Sequence, residues 1–155
     1  MKPLSRIYVD TSVIGGCLDP EFQKWSKQLI KEFHLGIFRL VVSSLTEAEI
    51  NRAPDEIQRV YLDILESGAE FIEITPEAVE LAEKYLKHKI IPANYRNDAI
   101  HIALATINQV DILVSWNFQH IVHYDKIRLF NAVNLECGYK PIEIFSPREV
   151  VSYEN

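Results

Sequence analysis

Short apolar segments alternate along this chain with amphipathic segments of about a dozen residues, and this alternation limits the possible folds most strongly. The first apolar segment covers residues 6–9, and residues 20–35 then carry apolar side chains at helical spacing. Strands that alternate with helices form βαβ units around a parallel sheet. The pattern therefore predicts an α/β protein with three layers, α/β/α, and a central parallel sheet of four to five strands.

The later segments continue the alternation. Further strands are predicted at residues 39–42, 70–74, 112–115 and 142–145. Further helices are predicted from Ser44 onward and at residues 54–66, 76–88, 97–109 and 126–137. Ser44 with Glu47 three residues later has the pattern of a capping box, which predicts that a helix begins there.

Length and composition fit a single globular domain over residues 1–155. Hydrophobic residues make up 48% of the chain and charged residues 25%, which argues against disorder. The two cysteines, Cys17 and Cys137, form no CxxC pair, so neither a disulfide scaffold nor a zinc ribbon is expected. We expect a cytoplasmic protein with no membrane association, because no apolar run reaches the length of a membrane helix and no signal-peptide pattern is found.

The net charge of −6 is the opposite of what a protein bound to nucleic acid by general electrostatics carries. A nucleic-acid function would therefore need a local basic patch, a bound cation, or both. The basic residues that could contact phosphates are Lys24, Lys27, Arg52, Arg96 and Arg148.

Oxygen-bearing side chains follow the predicted strands or the helices next to them. Asp10 ends the first strand, Glu49 lies on the helix after the second, Asp98 opens a later helix, and Asn117 follows the strand at 112–115. Ligands bind parallel sheets at the carboxyl ends of their strands. We expect these side chains to converge there, and a hard cation such as Mg²⁺ or Mn²⁺ prefers oxygen ligands of this kind.

Each of these residues also has a structural interpretation. Asp10 could cap a helix that begins directly after it, and Glu49 could lie on a solvated helix face. Asp98 could interact with the helix dipole, Asn117 could form an Asx-turn, and Ser115 could be a buried hydroxyl bonded to backbone. Two carboxylates about 5 Å apart repel each other by roughly 3 kcal/mol, so their convergence would indicate a cation site rather than a stabilising cluster.

Four segments together resemble the successive motifs of a PIN domain, and VapC-type toxins of bacterial and archaeal toxin–antitoxin pairs in particular. The segments are IYVDTS at residues 7–12, VSSLTEAEI at 42–50, NDAIHIALA at 97–105 and ILVSWNF at 112–118. Their order and spacing agree over nearly the whole chain.

The resemblance implies a metal-dependent endoribonuclease that cleaves RNA and leaves 5′-phosphate and 3′-hydroxyl ends. It also implies a cognate antitoxin, which would bring a basic or apolar segment into the acidic groove, and it favours a homodimer. It assigns Asp10 and Asp98 as primary ligands of Mg²⁺ or Mn²⁺, and Glu49 as a further ligand or as the group that orients the attacking water.

The chain departs from the family pattern after the fourth strand, where Asn117 occupies a position that is usually aspartate. An amide oxygen can bind a cation directly or through water but brings no charge, so weaker binding of a second metal is expected. Ser115 would position Asp10 or a metal-bound water. Thr11 is a further supporting residue.

Four other residues remain open in function. His101 lies near Asp98 on the same helix and could donate to the substrate or to a site carboxylate, or be a satisfied core histidine. His120 and His123 have the spacing of a zinc pair, but no further Cys or His lies nearby in the sequence, so zinc is not expected. Trp116 could stack on a base, although core packing is the more common role.

Two other functional classes are kept as alternatives. The first is a catalytically weakened PIN-like module that binds RNA or protein, which Asn117 favours. The second is a phosphatase with Asp10 as nucleophile, similar to the haloacid dehalogenases. Those enzymes have a second aspartate two residues later, where this chain has Ser12.

Overall fold

The computed structural model describes residues 3–152, which contain a sheet of five strands. The strands are β1 Arg6–Val9, β2 Arg39–Ser43, β3 Glu70–Ile72, β4 Ile112–Val114 and β5 Glu143–Phe145. Their order across the sheet is β3-β2-β1-β4-β5, and all neighbouring pairs are parallel. This confirms the predicted α/β class and its parallel sheet.

Helices connect the strands. They are α1 Thr11–Gly15, α2 Gln23–His34, α3 Ser44–Ile50, α4 Asp55–Glu66, α5 Pro76–Lys87, α6 Arg96–Ile107, α7 Tyr124–Glu136 and α8 Pro147–Val150. Short 3-10 turns at Gly16–Leu18 and Ala93–Tyr95 extend α1 and precede α6. No helix within residues 3–152 has the length and apolar character needed to cross a membrane.

Two hydrophobic cores lie on opposite faces of the sheet and give the fold its three layers. Tyr8 of β1 belongs to one core, which is built mainly with α5, α6 and α7. Ile7 and Val9 of the same strand belong to the other core, which α1, α2 and α4 cover. Successive side chains of a strand point to opposite faces, so a strand buried on both sides must be apolar throughout.

The strand order reverses next to β1. The chain proceeds from β1 outward to β2 and β3, then returns through α5 and α6 to place β4 on the other side of β1. Val9 lies in register with Val114, so the residues that follow β1 and β4 emerge side by side. Parallel α/β sheets bind their ligands at such a point of reversal.

The capping box predicted at Ser44 is wrong. The N-cap of α3 is Ser43, whose side chain accepts a backbone N–H from the first turn. Ser44 Oγ instead accepts the N–H of Ile74, and Glu47 accepts a 3.3 Å hydrogen bond from the hydroxyl of Tyr61. Two adjacent serines leave the N-cap ambiguous in the sequence. Because the N-cap is Ser43 and not Ser44, Glu47 does not lie at the capping-box position, and its carboxylate contacts Tyr61 of α4 instead.

Several element boundaries also differ from those predicted. The helix expected at residues 20–35 begins at Gln23, because a turn that includes Asp19 precedes it. The strand expected at 70–74 is paired only as far as Ile72. Helix α1, of five residues, begins directly after Asp10, as the structural interpretation of Asp10 allowed, whereas α8, of four residues, was not predicted because it is too short to show a helical repeat.

Candidate active site

Asp10 follows β1 at the point where the strand order reverses, and its side chain is 4% exposed. Ser12 Oγ donates to Asp10 Oδ1 at 2.6 Å, and Ser115 Oγ donates to Asp10 Oδ2 at 2.7 Å. Asp10 is positioned as the N-cap of α1, but its carboxylate accepts no capping hydrogen bond from the helix. The carboxylate is therefore held by two hydroxyl groups from neighbouring segments rather than used to begin the helix.

Burial raises the pKa of Asp10 above its ordinary value. The charge of His101 and the hydrogen bonds from Ser12 and Ser115 act in the opposite direction, and the negative charge of Glu49 adds to the rise. A buried carboxylate close to a second carboxylate costs free energy when both are ionised. Such an arrangement is typical of a functional site that binds a cation.

Glu49 lies on α3 and does not lie on a purely solvated helix face. Its Oε1 accepts a 2.8 Å hydrogen bond from Thr11 Oγ1 and lies 2.6 Å from His101 Nε2. Burial alone would raise the pKa of Glu49, but the hydrogen bond and charge of His101 together with the bond from Thr11 outweigh it and lower the pKa. Glu49 is thus kept ionised and fixed in orientation.

His101 connects Glu49 to the core of the sheet. Its ring is 2% exposed, and Nδ1 lies 2.7 Å from the hydroxyl of Tyr8, which lies 2.8 Å from Ser43 Oγ. An ionised carboxylate only accepts hydrogen bonds, so Nε2 carries a proton toward Glu49, while Nδ1 is hydrogen-bonded to the hydroxyl of Tyr8. His101 is therefore a satisfied buried histidine that also donates to a site carboxylate.

Asp98 and Asn117 are joined through His120. Asp98 Oδ2 lies 2.9 Å from His120 Nδ1, and the backbone N–H of His120 donates to Asn117 Oδ1 at 2.9 Å. The amide of Asn117 thus closes a turn, as its structural interpretation predicts. The N–H of Asn117 donates to Ser115 Oγ at 2.9 Å, which links this turn to the residues around Asp10.

The carboxylates form two hydrogen-bonded groups. Asp10 and Glu49 lie close enough for the charge of one to affect the pKa of the other, while Asp98 is bonded to His120. Within residues 3–152 no three His, Cys, Asp or Glu side chains are grouped so that they could hold a metal ion. Ligation by Asp10, Glu49 and Asp98 together therefore stays a prediction.

The donor chemistry nevertheless fits a hard cation. Mg²⁺ is usually held by one or two carboxylates, with water and substrate phosphate completing its shell, rather than by a cage of protein ligands. Asp10 and Glu49 provide oxygen ligands at the point of strand reversal, and each retains lone pairs beyond its present hydrogen bonds. Asp98 would then bind the cation through water or contact the substrate.

Sequence reasoning missed residues that support these carboxylates. Ser12 and Tyr8 were not selected, and His120 was considered only as part of a zinc pair. The hydroxyl two residues after Asp10 was a usable signal for Ser12, whereas the contacts of Tyr8 and His120 join segments that are distant in sequence. Arg96, one of the basic residues that could contact phosphates, forms an ion pair with Glu83.

The fold and the acidic side chains at its carboxyl edge define an α/β protein of the PIN class. The family model for the PIN domain matches residues 7–128, and the chain belongs to this family. PIN domains are generally nucleases, and those nucleases generally use divalent metals. No curated protein matches the chain in sequence.

Several solved structures share this fold at low sequence identity. VapBC2 from Rickettsia felis, bound to a promoter DNA fragment, has a TM-score of 0.58 at 13% identity and covers 91% of this chain and 98% of its own. VapC20 of Mycobacterium tuberculosis, a sarcin–ricin loop-cleaving toxin, has a TM-score of 0.57 at 15% identity, covering 74% and 92%. FitAcB from Neisseria gonorrhoeae has a TM-score of 0.58 at 15% identity, covering 93% and 99%.

Proposed function

We propose that this PIN domain is a divalent-metal-dependent endoribonuclease and the toxin of a toxin–antitoxin pair. The observation that carries the proposal is the buried Asp10 carboxylate at the point of strand reversal, fixed by Ser12 and Ser115 and close to Glu49. A buried, paired carboxylate of this kind destabilises a fold unless a cation neutralises it. The family and the toxins among its structural relatives support the same reaction class.

Mg²⁺ or Mn²⁺ bound here would activate a water molecule and neutralise charge on the scissile phosphate. Asp10 would hold the ion, and its two serine donors keep the carboxylate in one orientation. The ionised Glu49, fixed through Oε1 by His101 and Thr11, would use Oε2 to bind the ion or accept a hydrogen bond from the attacking water. The expected products carry 5′-phosphate and 3′-hydroxyl ends.

Asp98 and Asn117 would act from the other side of the site. His120 orients the carboxylate of Asp98 and closes the turn that contains Asn117. Asn117 contributes an amide dipole where a carboxylate would contribute charge, so its role is to maintain the turn and to bind through its remaining lone pair. The expected consequence is weaker affinity for a second metal.

Cleavage of RNA by purified protein with Mn²⁺ tests this proposal. Wild-type protein should cut a mixed oligoribonucleotide, while Asp10→Asn and Asp98→Asn should reduce the rate by at least about 100-fold, as loss of a metal ligand or its support does. Asp125→Asn, at an exposed position on α7, is the matched control and should keep full activity. Equal cleavage by wild type and Asp10→Asn would contradict the proposal.

Asn117 favours a second candidate, a PIN-like module that binds RNA or protein with little or no catalysis. Its amide oxygen is already engaged by His120, and the site lacks one carboxylate of the usual pattern. Calorimetry separates the two functions, because a catalytic site must bind Mn²⁺, whereas a folded protein that binds none fits the module. The phosphatase alternative gains no support, since position 12 carries a serine hydroxyl that donates to Asp10 and not a second carboxylate.

Partners are part of the proposal. The resemblance of the four sequence motifs to toxins of toxin–antitoxin pairs supports a cognate antitoxin for this chain. We also propose a homodimer, since a small domain with exposed apolar side chains such as Leu129 and Leu135 on α7 commonly pairs. Light scattering tests the second point, and a monomer at all concentrations would contradict it.

A further inference from the structure

Two exposed aromatic rings adjoin the candidate active site from different elements. Phe118 is 49% exposed and directly follows Asn117. Tyr95 is 40% exposed and directly precedes α6, whose first turn carries Asp98. Exposed aromatic side chains next to a nucleic-acid cleavage site offer flat surfaces for unpaired bases.

Phe118 rests on a rigid aromatic cluster. Its ring makes an edge contact with Trp116 at 6.1 Å between centroids, and Phe22 stacks on Trp116 at 4.2 Å. Trp116 is only 7% exposed, and its Nε1 donates to Ser26 Oγ at 2.8 Å. Trp116 is therefore a core residue, and it is Phe118 that presents aromatic surface to a ligand.

Hydrogen bonds connect this aromatic cluster to the acidic site. The backbone N–H of Trp116 donates to Ser12 Oγ at 2.9 Å, and the same hydroxyl donates to Asp10. Ser115, the residue before Trp116, is the other donor to Asp10. The position of Phe118 is thus fixed relative to the Asp10 carboxylate.

Tyr95 is connected to the site in a similar way on the Asp98 side. Its ring packs against the imidazole of His120 with centroids 4.0 Å apart and an interplanar angle of 51°. His120 is the hydrogen-bond partner of Asp98. Tyr95 therefore packs on the hydrogen-bond partner of Asp98. Phe118 packs on Trp116, whose backbone N–H is bonded to Ser12, a donor to Asp10.

Basic side chains lie beside the Phe118 cluster. Lys24 Nζ and the guanidinium of Arg148 lie 5.7 Å and 5.1 Å from the ring centroid of Trp25, and Trp25 packs edge-on against Trp116 at 6.1 Å. These cations lie beside the half-buried ring of Trp25, and in a chain of net charge −6 they complement the phosphates that connect stacked bases.

We propose that Phe118 and Tyr95 each stack on an unpaired base of the RNA, one on the Asp10 side and one on the Asp98 side of the site. The two rings would position the strand across the site, and they require bases that are unpaired, because paired bases cannot present their faces to the rings. This inference rests on the proposed ribonuclease function and names two residues that position its substrate.

The test is binding of a fluorescein-labelled 12-mer oligouridylate in EDTA, so that binding is measured without cleavage. Phe118→Leu and Tyr95→Leu should each weaken binding by about five-fold or more, since loss of one stacked base costs at least that factor. Phe118→Tyr keeps a ring and should bind as wild type does. Phe71→Leu, which removes a 39% exposed ring from the edge strand β3, is the matched control and should have no effect.

Intrinsic fluorescence provides a second readout, because the only two tryptophans of the chain, Trp25 and Trp116, both lie in this cluster. RNA should quench their emission in wild type and much less in Phe118→Leu, and a blunt RNA duplex should bind more weakly than the single strand. Lys24→Gln should reduce the dependence of log affinity on log salt by about 0.7, the value for one phosphate contact on a single strand.

The inference would be overturned if Phe118→Leu and Tyr95→Leu bound RNA with the affinity of wild type. It would also be overturned if wild type bound no RNA, and the rings would then be a surface for a protein partner. Cleavage assays in Mn²⁺ separate this failure from failure of the proposed function. Cleavage that depends on Asp10 but not on the two rings removes the inference alone. Ring-dependent binding without cleavage removes the nuclease function alone.

Discussion

The imidazole of His101 lies 2.6 Å from the carboxylate of Glu49, although 52 residues separate them in the chain. The other ring nitrogen lies 2.7 Å from the hydroxyl of Tyr8 on the central strand. The orientation of Glu49 is thus fixed from inside the sheet. Buried hydrogen-bonded chains of this kind hold a functional side chain in one geometry before substrate binds.

Tyr8→Phe should destabilise the protein by about 1–3 kcal/mol, because it removes the buried partner of both His101 Nδ1 and Ser43 Oγ. Urea unfolding measures this loss. Tyr139→Phe removes a hydroxyl that bonds to Glu77 at an exposed position and should change the free energy of unfolding by less than about 0.5 kcal/mol. Similar changes in the free energy of unfolding for the two variants would indicate that the hydrogen bonds of the Tyr8 hydroxyl do not stabilise the fold.

Asp10→Asn should stabilise the metal-free protein at neutral pH while it abolishes cleavage. The folded pKa of Asp10 is raised by burial, so its favourable contribution is present at pH values below the unfolded pKa and is lost as the pH rises through the folded pKa. Thermal unfolding in EDTA at pH 7 should give a Tm about 2–4 °C above wild type, with a smaller difference at pH 4. Asp125→Asn, at the N-terminus of α7, should lower the Tm slightly. A lower Tm for Asp10→Asn at pH 7 would contradict this account.

The stability that Glu49 contributes depends on pH in the opposite direction to that of Asp10. Its folded pKa is lowered, so the stability it contributes is present above the unfolded pKa and is lost as the pH falls through the folded pKa. Glu49→Gln should therefore reduce stability at pH 7 but have little effect at the most acidic pH where wild type remains folded. Unfolding by urea over a range of pH values tests this, and a pH-independent difference between the two proteins would count against an ionised Glu49.

Ser115→Ala should reduce Mn²⁺ affinity or cleavage by about 10–100-fold while the fold is retained, as loss of a group that orients a metal ligand does. The hydroxyl of Ser115 donates to Asp10 Oδ2 and accepts from the N–H of Asn117. Its loss removes both hydrogen bonds, so the Asp10 carboxylate and the turn at Asn117 are held less firmly. Ser67→Ala, on the exposed end of α4, is the control. Calorimetry with Mn²⁺ measures the affinity, and equal affinities for both variants would exclude a positioning role.

Asn117→Asp should strengthen metal binding, because it restores a carboxylate at the end of β4 without losing the turn. An aspartate oxygen can still accept the N–H of His120, which Asn117 Oδ1 accepts now. Calorimetry should show tighter binding or a second equivalent of Mn²⁺. Asn51→Asp at the exposed end of α3 should bind Mn²⁺ as wild type does. If Asn117→Asp changes nothing, this position does not face the cation.

Gly16→Ala should destabilise the protein by about 1–3 kcal/mol through overpacking. A Cβ atom there would lie 2.5 Å from Ser26 Oγ and 2.8 Å from Trp116 Nε1, two atoms that are hydrogen-bonded to each other. Gly15→Ala is a matched control, since its Cβ would meet only Ile57 at 4.0 Å. Thermal unfolding of both variants measures the difference, and equal Tm values would show that the aromatic cluster tolerates displacement.

The parallel sheet and most of its helices could be predicted from the sequence because the signals are local. Apolar segments such as that of β2 and the repeat of α4 determine their own structure with little help from the rest of the chain. Boundaries were less accurate. Adjacent hydroxyl residues at Ser43 and Ser44 offer the same capping chemistry, and only the position of Ile74 in the folded chain decides between them.

The acidic residues could be selected from their positions after strands, but their partners could not. The roles of Tyr8 and His120 depend on contacts with segments 93 and 22 residues away in sequence, which no local pattern encodes. The sequence also could not decide the role of Asn117, since an Asx-turn and a metal ligand require the same residue in the same place.

Anomalous diffraction from crystals soaked in Mn²⁺ would locate the cation relative to Asp10 and every other candidate ligand at once. We expect a Mn²⁺ peak at about 2.1 Å from a carboxylate oxygen of Asp10, with Glu49 or Asp98 as the second acidic contact. No peak at Asp10 in crystals that bind Mn²⁺ elsewhere, or none at all, would contradict this expectation.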